Sequence, residues 1–440
     1  MPEIRAFRAL RYDRDAVPDL AAVVAPPYDV VDPVLRVHLA ARHPRNVVRL
    51  DLPADEAGDA PDERYRRAAR TLATWRSDGT LHKDPRSAIY VYEQTYRVPG
   101  TETTRTQRGF FARLRLEAYG EGGTVLPHER TLEGPREDRY RLLRATGVNT
   151  SPVIGLYADP SGTASAILAK VAASPAAVDL HDDDGVRHRL WVVEAEGETA
   201  PEVSSLVAAA AAEPVTIADG HHRYETALRY RDERRMSRSC EEDPAFDYLL
   251  MLFLETTAEP LTVLATHRLV RGAGSDVAGD LENRLGRWFD VRPAGRAELE
   301  RAFGTALAAG GNGRFGLWTR AGGHILTARQ EAFAGEEGAG EALRGIDAWL
   351  LAVALERGLG IDTGVLAAGE RVGYTKSARE ALALVDDPGG ADGWDAAFLL
   401  EPTPVASITA VARSGEVMPQ KSTYFYPKAL TGLVINPLEW

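Results

Sequence analysis

The residues best suited to chemistry in this sequence stand together at positions 217–226, which read Ile-Ala-Asp-Gly-His-His-Arg-Tyr-Glu-Thr. Asp219 and Gly220 form a turn between an apolar run and a helix predicted to begin near His221. The first N–H groups of a helix lack intrahelical partners, and the helix dipole favours negative charge there. Gly220 leaves room for an anion, and Arg223 can bind phosphate through two N–H groups. The box, defined as Asp219 to Arg223, therefore favours a phosphate site.

Two other interpretations of the box stay open from the residues alone. His221 and Glu225 lie four positions apart on one helical face, and Asp219 adds a carboxylate, so the three side chains form a possible metal-binding set. Arg223 would repel a bare divalent ion, whereas a Mg²⁺ that arrives bound to phosphates needs only one or two protein carboxylates. The remaining interpretation is a strand–turn–helix connection without a ligand, in which Tyr224 packs into the core.

A second polar group, Leu-Pro-His-Glu-Arg-Thr, occupies positions 126–131 next to a proline. Catalytic side chains are often carried by loops of this kind. Transfer of a phosphoryl group to a hydroxyl needs a carboxylate that accepts the hydroxyl proton, and Glu129 is predicted to be this base. His128 is predicted to contact phosphate. The alternative is a solvated, charged turn without a catalytic role.

Two further segments carry charged side chains without regular periodicity. Asp29 follows a Pro-Pro-Tyr turn and is either a second carboxylate that binds Mg²⁺ or a cap for the helix after it. Lys421 belongs to the aromatic tail segment 418–428. This segment is either folded over the site, so that Lys421 neutralises phosphate charge, or simply packed on the core.

The lysines are unevenly distributed. The sequence contains 47 arginines and 5 lysines, and Lys376, Lys421 and Lys428 lie in its last 65 residues. Where arginine is so strongly favoured, a retained lysine indicates a need for a compact, strongly hydrated charge.

These groups require strands and helices that position them. A chain of 440 residues with 44% apolar and 26% charged residues is typical of a globular protein of two or three domains. The predicted class is mixed α+β, with a core over residues 1–280 that carries the box and an α+β domain with the terminal strap over 281–440. The patterns predict a strand within 21–33, a helix over 62–77, paired strands over 88–98 and 106–119, a helix over 139–146, a helix from His221 and a hairpin over 314–328.

The overall composition limits the classes of function. A net charge of −12 argues against a nucleic-acid-binding protein. The single cysteine, Cys240, excludes an internal disulfide framework and Cys-rich zinc sites. The sequence has no secretory apolar core and no apolar run near the roughly 20 residues that span a bilayer. We therefore expect a cytoplasmic protein without a membrane partner, and a homodimer is compatible with the sequence.

Several stretches resemble the prokaryotic family called domain of unknown function 1015. They include Phe-Arg-Ala-Leu-Arg-Tyr-Asp at 7–13, Val-Val-Ala-Pro-Pro-Tyr-Asp-Val-Val-Asp-Pro at 23–33, Ser-Pro-Val-Ile-Gly-Leu-Tyr at 151–157, and the tail that begins Met-Pro-Gln-Lys at 418. The resemblance extends over nearly the whole chain. It implies membership of this family and no particular activity.

The box also resembles the phosphate-binding box of the ParB/sulfiredoxin-like fold. ParB-type nucleotidases read Gly-Glu-Arg-Arg there, sulfiredoxin reads Gly-Cys-His-Arg, and free-serine kinases of this fold read Asp-Gly-His-His-Arg. The resemblance implies that Gly220, His221, His222 and Arg223 hold nucleotide phosphates and that Asp219 assists Mg²⁺ or the reacting hydroxyl. His221 replaces the reactive cysteine of sulfiredoxin, so reductase chemistry is not expected, and the Glu of the ParB-type box is absent.

The resulting hypothesis is a nucleotide-dependent kinase that uses ATP or ADP with Mg²⁺ and phosphorylates a small hydroxyl-bearing metabolite, with free serine as the first choice. Glu129, Asp219 and His222 are the predicted catalytic residues. The predicted metal ligands are Asp29, Asp219 and Glu225. Two alternatives stay open: a metal-dependent phosphoester hydrolase or nucleotidase, and a non-enzymatic regulator that senses nucleotides.

Overall fold

The computed structural model describes the chain except for residues 130–132, 238–241, 272–283, 308–309, 312, 337–338, 363, 366–370 and 388–392. Cys240 and the last two residues of the 126–131 loop lie outside the described residues. No helix in the described part of the chain is long and apolar enough to cross a membrane.

A large mixed sheet forms the first half of the molecule. Within the described residues it contains nine strands, and its main path runs in the order Val125–Leu126, Val215–Asp219, Val153–Tyr157, Tyr248–Glu255, Thr104–Arg115, Ala88–Arg97, Arg187–Glu194 and Val178–His181, with Ile4–Arg5 paired to Thr104–Arg115. The neighbours Val215–Asp219 and Val125–Leu126 are parallel, as are Tyr248–Glu255 and Val153–Tyr157. The other pairs of this sheet are antiparallel.

Both faces of this sheet are covered, which explains why its central strands are almost continuously apolar. On one face, Val91, Phe110 and Met251 belong to a core that includes side chains from the flanking helices. These helices are Glu133–Thr146, Thr163–Ala172, Ala200–Ala210 and His221–Ser237. On the other face, Tyr90 and Leu252 join a core that continues into the second sheet.

A second, antiparallel sheet contains six strands within the described residues. They lie in the order Phe289–Ala294, Gly322–Ala328, Arg314–Thr319, Ala396–Leu399, His267–Val270 and Val372–Thr375. The strands Arg314–Thr319 and Gly322–Ala328 form the hairpin that the sequence predicts. Helices of this half are Arg296–Phe303, Gln330–Phe333, Glu341–Arg344, Asp347–Leu359, Ala378–Asp386 and Val405–Arg413.

The terminal segment returns to the first half of the chain. Tyr424–Tyr426 pairs with Thr262–Leu264, and Asn436–Pro437 pairs with Val148–Asn149. A further small ladder joins Leu10–Tyr12 to Leu81–Lys83. The remaining helices near the N-terminus are Pro33–Arg42, Val48–Asp51 and Glu63–Ser77, and 3-10 turns occupy Leu20–Ala22, Tyr28–Val30, Gly197–Thr199 and Ala245–Asp247.

The mixed α+β class and most predicted elements are confirmed, including the helix Glu63–Ser77 and the antiparallel pair Ala88–Arg97 and Thr104–Arg115. The predicted strand within 21–33 is wrong. Residues 20–22 form a 3-10 turn, and the apolar side chain of Val23 is buried in a cluster that includes Leu10 and Leu72. The division of the chain at residue 280 stays a prediction, and the second sheet already includes His267–Val270.

Another difference concerns the passage before residue 139. The helix begins at Glu133 instead of Arg139, so it includes six residues before the predicted start. This helix packs along the helix His221–Ser237. The early start matters for the site because it brings Arg136 next to Glu225.

Candidate functional site

The box lies at a junction between a strand and a helix. Asp219 ends the strand Val215–Asp219, and the box helix, defined as His221–Ser237, begins two residues later. Gly220 connects them with a φ of +89°, a conformation that side chains other than glycine rarely adopt. A Cβ on Gly220 would also lie 2.9 Å from Arg223 Nε, so the glycine allows the arginine to fold back over the turn.

Asp219 is held between two cations. Its Oδ1 accepts a hydrogen bond from Lys428 Nζ at 2.5 Å, and its Oδ2 accepts one from Arg223 Nη2 at 2.5 Å. Burial alone would raise the pKa of Asp219, but Lys428 and Arg223 outweigh it and hold the pKa below its usual range. The Arg223 guanidinium also donates to the Pro152 carbonyl. Asp219 is therefore ionised and fixes the orientation of both cations.

The 126–131 loop and the box meet in space. The His128 N–H donates to His221 Nε2 at 3.2 Å, and the two imidazole rings contact edge to face with centroids 4.7 Å apart. His221 Nε2 accepts, so the neutral ring carries its proton on Nδ1. Burial lowers the pKa of His221 well below its usual value, and the neighbouring His128 lowers it further. His221 therefore lines the site as a neutral donor.

Contrary to the prediction, the side chain of His128 does not reach the site. Its side chain is fully buried, its Nδ1 contacts the Ile217 carbonyl oxygen at 2.5 Å, and its Nε2 lies 3.0 Å from Thr423 Oγ1. Because a carbonyl only accepts, Nδ1 carries the proton and Nε2 accepts from the threonine hydroxyl. Burial lowers the pKa of His128 to about 4. The assignment of His128 to phosphate binding is corrected: it joins the box strand to the tail.

Glu129 points in the direction opposite to His128 and reaches the site. Its Oε1 accepts from the backbone N–H of Lys421 at 3.1 Å. Lys421 adopts a φ of +56°, a left-handed conformation that is uncommon outside glycine. Burial raises the pKa of Glu129 to about 7, and the hydrogen bond and positive charge of Lys421 oppose this shift. A carboxyl with this pKa can exchange a proton near neutral pH.

These groups surround a cleft of about 560 Å³. This volume lies within the roughly 300–1,000 Å³ of small-molecule sites. The cleft is lined by box residues, by the 3-10 turn near residue 28, by the ends of two strands of the second half and by the terminal segment: Tyr28, Asp29, Val30, Glu129, Ala218, Asp219, Gly220, His221, His222, Arg223, Thr266, Tyr374, Thr375, Lys376, Gln420, Lys421, Thr423, Tyr424 and Lys428. All three lysines that the sequence composition singles out therefore lie here.

The lysines of the cleft differ in their partners. Lys428 is paired with Asp219, whereas no acceptor within the described residues lies in hydrogen-bond range of the ammonium groups of Lys376 and Lys421. Lys376 Nζ and Lys428 Nζ lie on the ring of Tyr424, 4.1 and 4.4 Å from its centroid. Burial lowers the pKa of Lys376, and Lys428 lowers it further. Positive charge without an ion-pair partner among the described residues thus faces the cleft.

The turn after Pro27 supplies the remaining polar wall. Asp29 lines the cleft, and the helix after it is capped by Asp32, whose Oδ1 accepts from the Leu35 N–H at 2.8 Å. The alternative role of Asp29 as a helix cap is therefore wrong. Tyr28 carries the guanidinium of Arg139 over its ring at 4.2 Å, and burial raises the pKa of its hydroxyl to about 12.

The carboxylates predicted to bind a metal do not all line the cleft, which includes Asp29 and Asp219. Glu225 is ion-paired with Arg136 at 2.8 Å, and it does not line the cleft. Asp219 is ion-paired with Arg223 and Lys428. No cluster of three or more His, Cys, Asp or Glu side chains in the described part of the chain is arranged to hold a metal ion. These side chains do not fit a protein-held metal, and of the predicted set only Asp29 presents a carboxylate without an ion pair to the cleft.

The sequence does not assign a role to two charged residues of the site. Lys428 was noted in the tail without a role, and Lys376 comes from a strand end far from the box in the chain. The scarcity of lysine was the one signal that pointed to both. His222, which is predicted to be catalytic and to bind phosphate, also lines the cleft, and burial lowers its pKa.

The fold and the cleft together define a class of protein. It is a mixed α+β protein in which a strand–glycine–helix junction, an elevated-pKa glutamate and three lysines line one cleft. The chain belongs to the family described as protein of unknown function DUF1015, whose model matches residues 4–349. No curated protein matches the chain.

Several solved structures are similar to this chain. A free serine kinase in complex with AMP is 13% identical, with a TM-score of 0.36 over 75% of this chain and 90% of that one. A conserved hypothetical protein from Pyrococcus furiosus is 13% identical, with a TM-score of 0.35 over 69% and 87%. SbnI with a C-terminal truncation from Staphylococcus aureus is 12% identical, with a TM-score of 0.34 over 72% and 84%. A likeness at this level does not identify a ligand or a reaction.

Proposed function

We propose that the cleft binds the phosphates of ATP or ADP and transfers a phosphoryl group to a small hydroxyl-bearing metabolite, with free serine as the first candidate. The observation that carries this proposal is the combination of charges in one cleft. Glu129, with a pKa of about 7, shares the cleft with the N-terminus of the box helix and with Lys376 and Lys421, neither of which has an ion-pair partner within the described residues. Phosphoryl transfer needs this combination of an anion site and a proton acceptor.

The anion site is supported by the local backbone. The box helix has 17 residues, and its first intrahelical bond runs from the Tyr224 N–H to the Gly220 carbonyl at 3.0 Å. The N–H groups of His221, His222 and Arg223 precede this bond, and Gly220 has no side chain to cap them. In the proposed complex these N–H groups hold phosphate oxygens, and Lys421 neutralises part of the phosphate charge.

The reaction follows from the positions of the charged groups. The acceptor hydroxyl oxygen forms a bond to the terminal phosphorus as the bond from that phosphorus to the bridging oxygen breaks. The hydroxyl proton passes to the Glu129 carboxylate, and the shortened nucleotide leaves with the electron pair. Asp219 takes no proton in this scheme, because its pKa is low, and it positions Arg223 and Lys428. Mg²⁺ is part of the nucleotide substrate, and Asp29 is the carboxylate proposed to face it.

We also propose that the box and its sheet form a ParB/sulfiredoxin-like core within residues 1–280, with 281–440 as a C-terminal α+β domain. The terminal segment supports this organisation, since Lys421 and Lys428 extend over the box from the C-terminal part. In this arrangement the cleft is complete only when both parts are present.

Replacement of Lys421 by alanine is expected to weaken nucleotide binding about tenfold, because its ammonium faces the cleft without an ion pair. The melting temperature is expected to stay unchanged, since Lys421 is exposed and its backbone N–H to Glu129 is retained. Calorimetric titration with ATP, ADP and CTP in the presence of Mg²⁺ measures the affinities.

Lys170→Ala is the matched control, because Lys170 is exposed and paired with Glu202 away from the cleft. It should bind nucleotide as the wild type does. Failure of all three nucleotides to bind the wild type would end the proposal.

A further inference from the structure

A second cavity lies next to the cleft and has polar walls of its own. Its volume is about 450 Å³, and Lys376 lines both it and the cleft. The other walls come from the turn at Gly100, the strand that begins at His267, the end of the helix Arg296–Phe303 and the start of the helix Ala378–Asp386. None of the groups in the proposed phosphoryl transfer, apart from Lys376, belongs to it.

His267 supplies a donor that has no partner. Its side chain is fully buried and lines the cavity, and its Nδ1 accepts from the Leu400 N–H at 3.1 Å. Because Nδ1 accepts, the neutral ring carries its proton on Nε2. Nε2 is buried and has no hydrogen-bond partner within the described residues. Burial lowers the pKa of His267 to about 3, so the ring is neutral at physiological pH. A buried donor without an acceptor is unfavourable unless a ligand completes it.

The helix Ala378–Asp386 presents further donors to the same cavity. Ser377 caps it, with Oγ accepting from the Glu380 N–H at 3.2 Å. The N–H groups of Ala378 and Arg379 precede the capped one, and both residues line the cavity. The helix dipole favours an anion at this end. The N-terminus and the His267 donor are independent features that favour the same kind of ligand.

The side-chain charges of the cavity also favour an anionic ligand. Lys376 and Arg379 contribute positive charge, and neither forms an ion pair with a carboxylate within the described residues. Glu300 also lines the cavity, but Arg296 pairs with its carboxylate at 3.1 Å. The surplus charge facing the cavity is positive.

We propose that this cavity binds the oxyanion group of a small molecule, which a carboxylate or a phosphate can supply. His267 Nε2 and the first N–H groups of the helix Ala378–Asp386 donate to the oxyanion, and Lys376 and Arg379 balance its charge. The inference does not depend on the reaction proposed for the cleft. It assigns a second ligand site that shares one lysine with the first.

The test uses calorimetric titration of the full-length protein with L-lactate and with inorganic phosphate at constant ionic strength. At least one of the two is expected to bind the wild type, and the stronger of them identifies the carboxylate or the phosphate as the preferred group. His267→Asn is expected to weaken that binding about 10- to 100-fold. Asparagine keeps an acceptor for the Leu400 N–H but does not extend to the position of Nε2.

Two further variants separate this site from the cleft and from effects on folding. Lys421→Ala, in the cleft alone, is expected to leave binding of L-lactate unchanged and, for inorganic phosphate, to leave unchanged the binding that depends on His267 and Arg379. Arg379→Ala changes an exposed side chain and is expected to weaken binding about two- to fivefold, which keeps the test valid if His267→Asn does not fold. The proposal is overturned if neither probe binds the wild type, if binding is unchanged in both His267→Asn and Arg379→Ala, or if Lys421→Ala abolishes it.

Discussion

Replacement of Glu129 by glutamine is expected to lower kcat about 10²–10⁴-fold, the usual contribution of a positioned base. The glutamine keeps the size of the side chain and an oxygen that accepts from the Lys421 N–H, so the fold of the loop should persist. It removes a carboxylate of the cleft whose pKa lies near neutrality. Nucleotide affinity is expected to remain, because the proposed phosphate donors lie in the box.

The pH dependence follows from the raised pKa of Glu129. The base must be deprotonated to accept the hydroxyl proton, so kcat of the wild type is expected to fall as the pH drops below about 7. The residual kcat of Glu129→Gln should not show this fall at low pH. Steady-state rates of ADP or AMP release from ATP or ADP, measured with L-serine from pH 5.5 to 9, give both quantities.

Glu259→Gln is the matched control for this prediction. Burial also raises the pKa of Glu259, but this residue lines a different cavity, beside Arg108. Its substitution should leave kcat and the pH profile unchanged. A Glu129→Gln enzyme with wild-type kcat would show that Glu129 is not the base.

Replacement of Arg223 by alanine is expected to weaken nucleotide binding about 100-fold or more, as truncation of a buried, hydrogen-bonded charge does in other interfaces. The Arg223 side chain lines the cleft, and its Nη2 donates to Asp219 Oδ2 at 2.5 Å. Its loss leaves Asp219 with Lys428 alone and the Pro152 carbonyl without its donor. We therefore also expect the free energy of unfolding to fall by about 1–3 kcal/mol.

Two comparisons distinguish these effects. Arg229→Ala removes an exposed arginine from the same helix, where it pairs with Glu137, and should change neither affinity nor stability appreciably. Arg223→Lys keeps a charge but loses the planar fork, and should restore only part of the affinity. The measurements are calorimetric titration with ADP and Mg²⁺ and urea unfolding. Wild-type affinity in Arg223→Ala would show that the Arg223 guanidinium does not contribute to nucleotide binding.

The position of the box could be predicted from the sequence because its information is local. The apolar run, the glycine and the helical periodicity lie within about twenty consecutive residues, and the structure confirms the strand, the turn and the helix. The scarcity of lysine extended this prediction to residues that are far from the box in the sequence. Lys376, Lys421 and Lys428 come from the C-terminal part of the chain, and all three line the cleft.

The predictions for site residues were wrong where tertiary contacts decide which way a side chain faces and which partner it has. His128 and Glu129 are adjacent in the sequence and equally polar, yet one is buried against Ile217 and Thr423 and the other lines the cleft. Alternation along an extended segment sends neighbouring side chains in opposite directions, and only the packing partners determine which one faces the ligand. The prediction of Glu225 as a metal ligand rests on its spacing from His221. In the structure its carboxylate pairs with Arg136, which belongs to a helix that starts before its predicted first residue.

The central claim is that nucleotide phosphates bind at the N-terminus of the box helix, and a crystal structure of the protein with ADP and Mg²⁺ tests it most directly. The account predicts phosphate oxygens about 2.7–3.2 Å from the N–H groups of His221, His222 and Arg223. Lys421 Nζ should lie within reach of the same phosphates. Phosphates bound in another part of the molecule, or no ADP in the cleft at a concentration far above that of the protein, would contradict it.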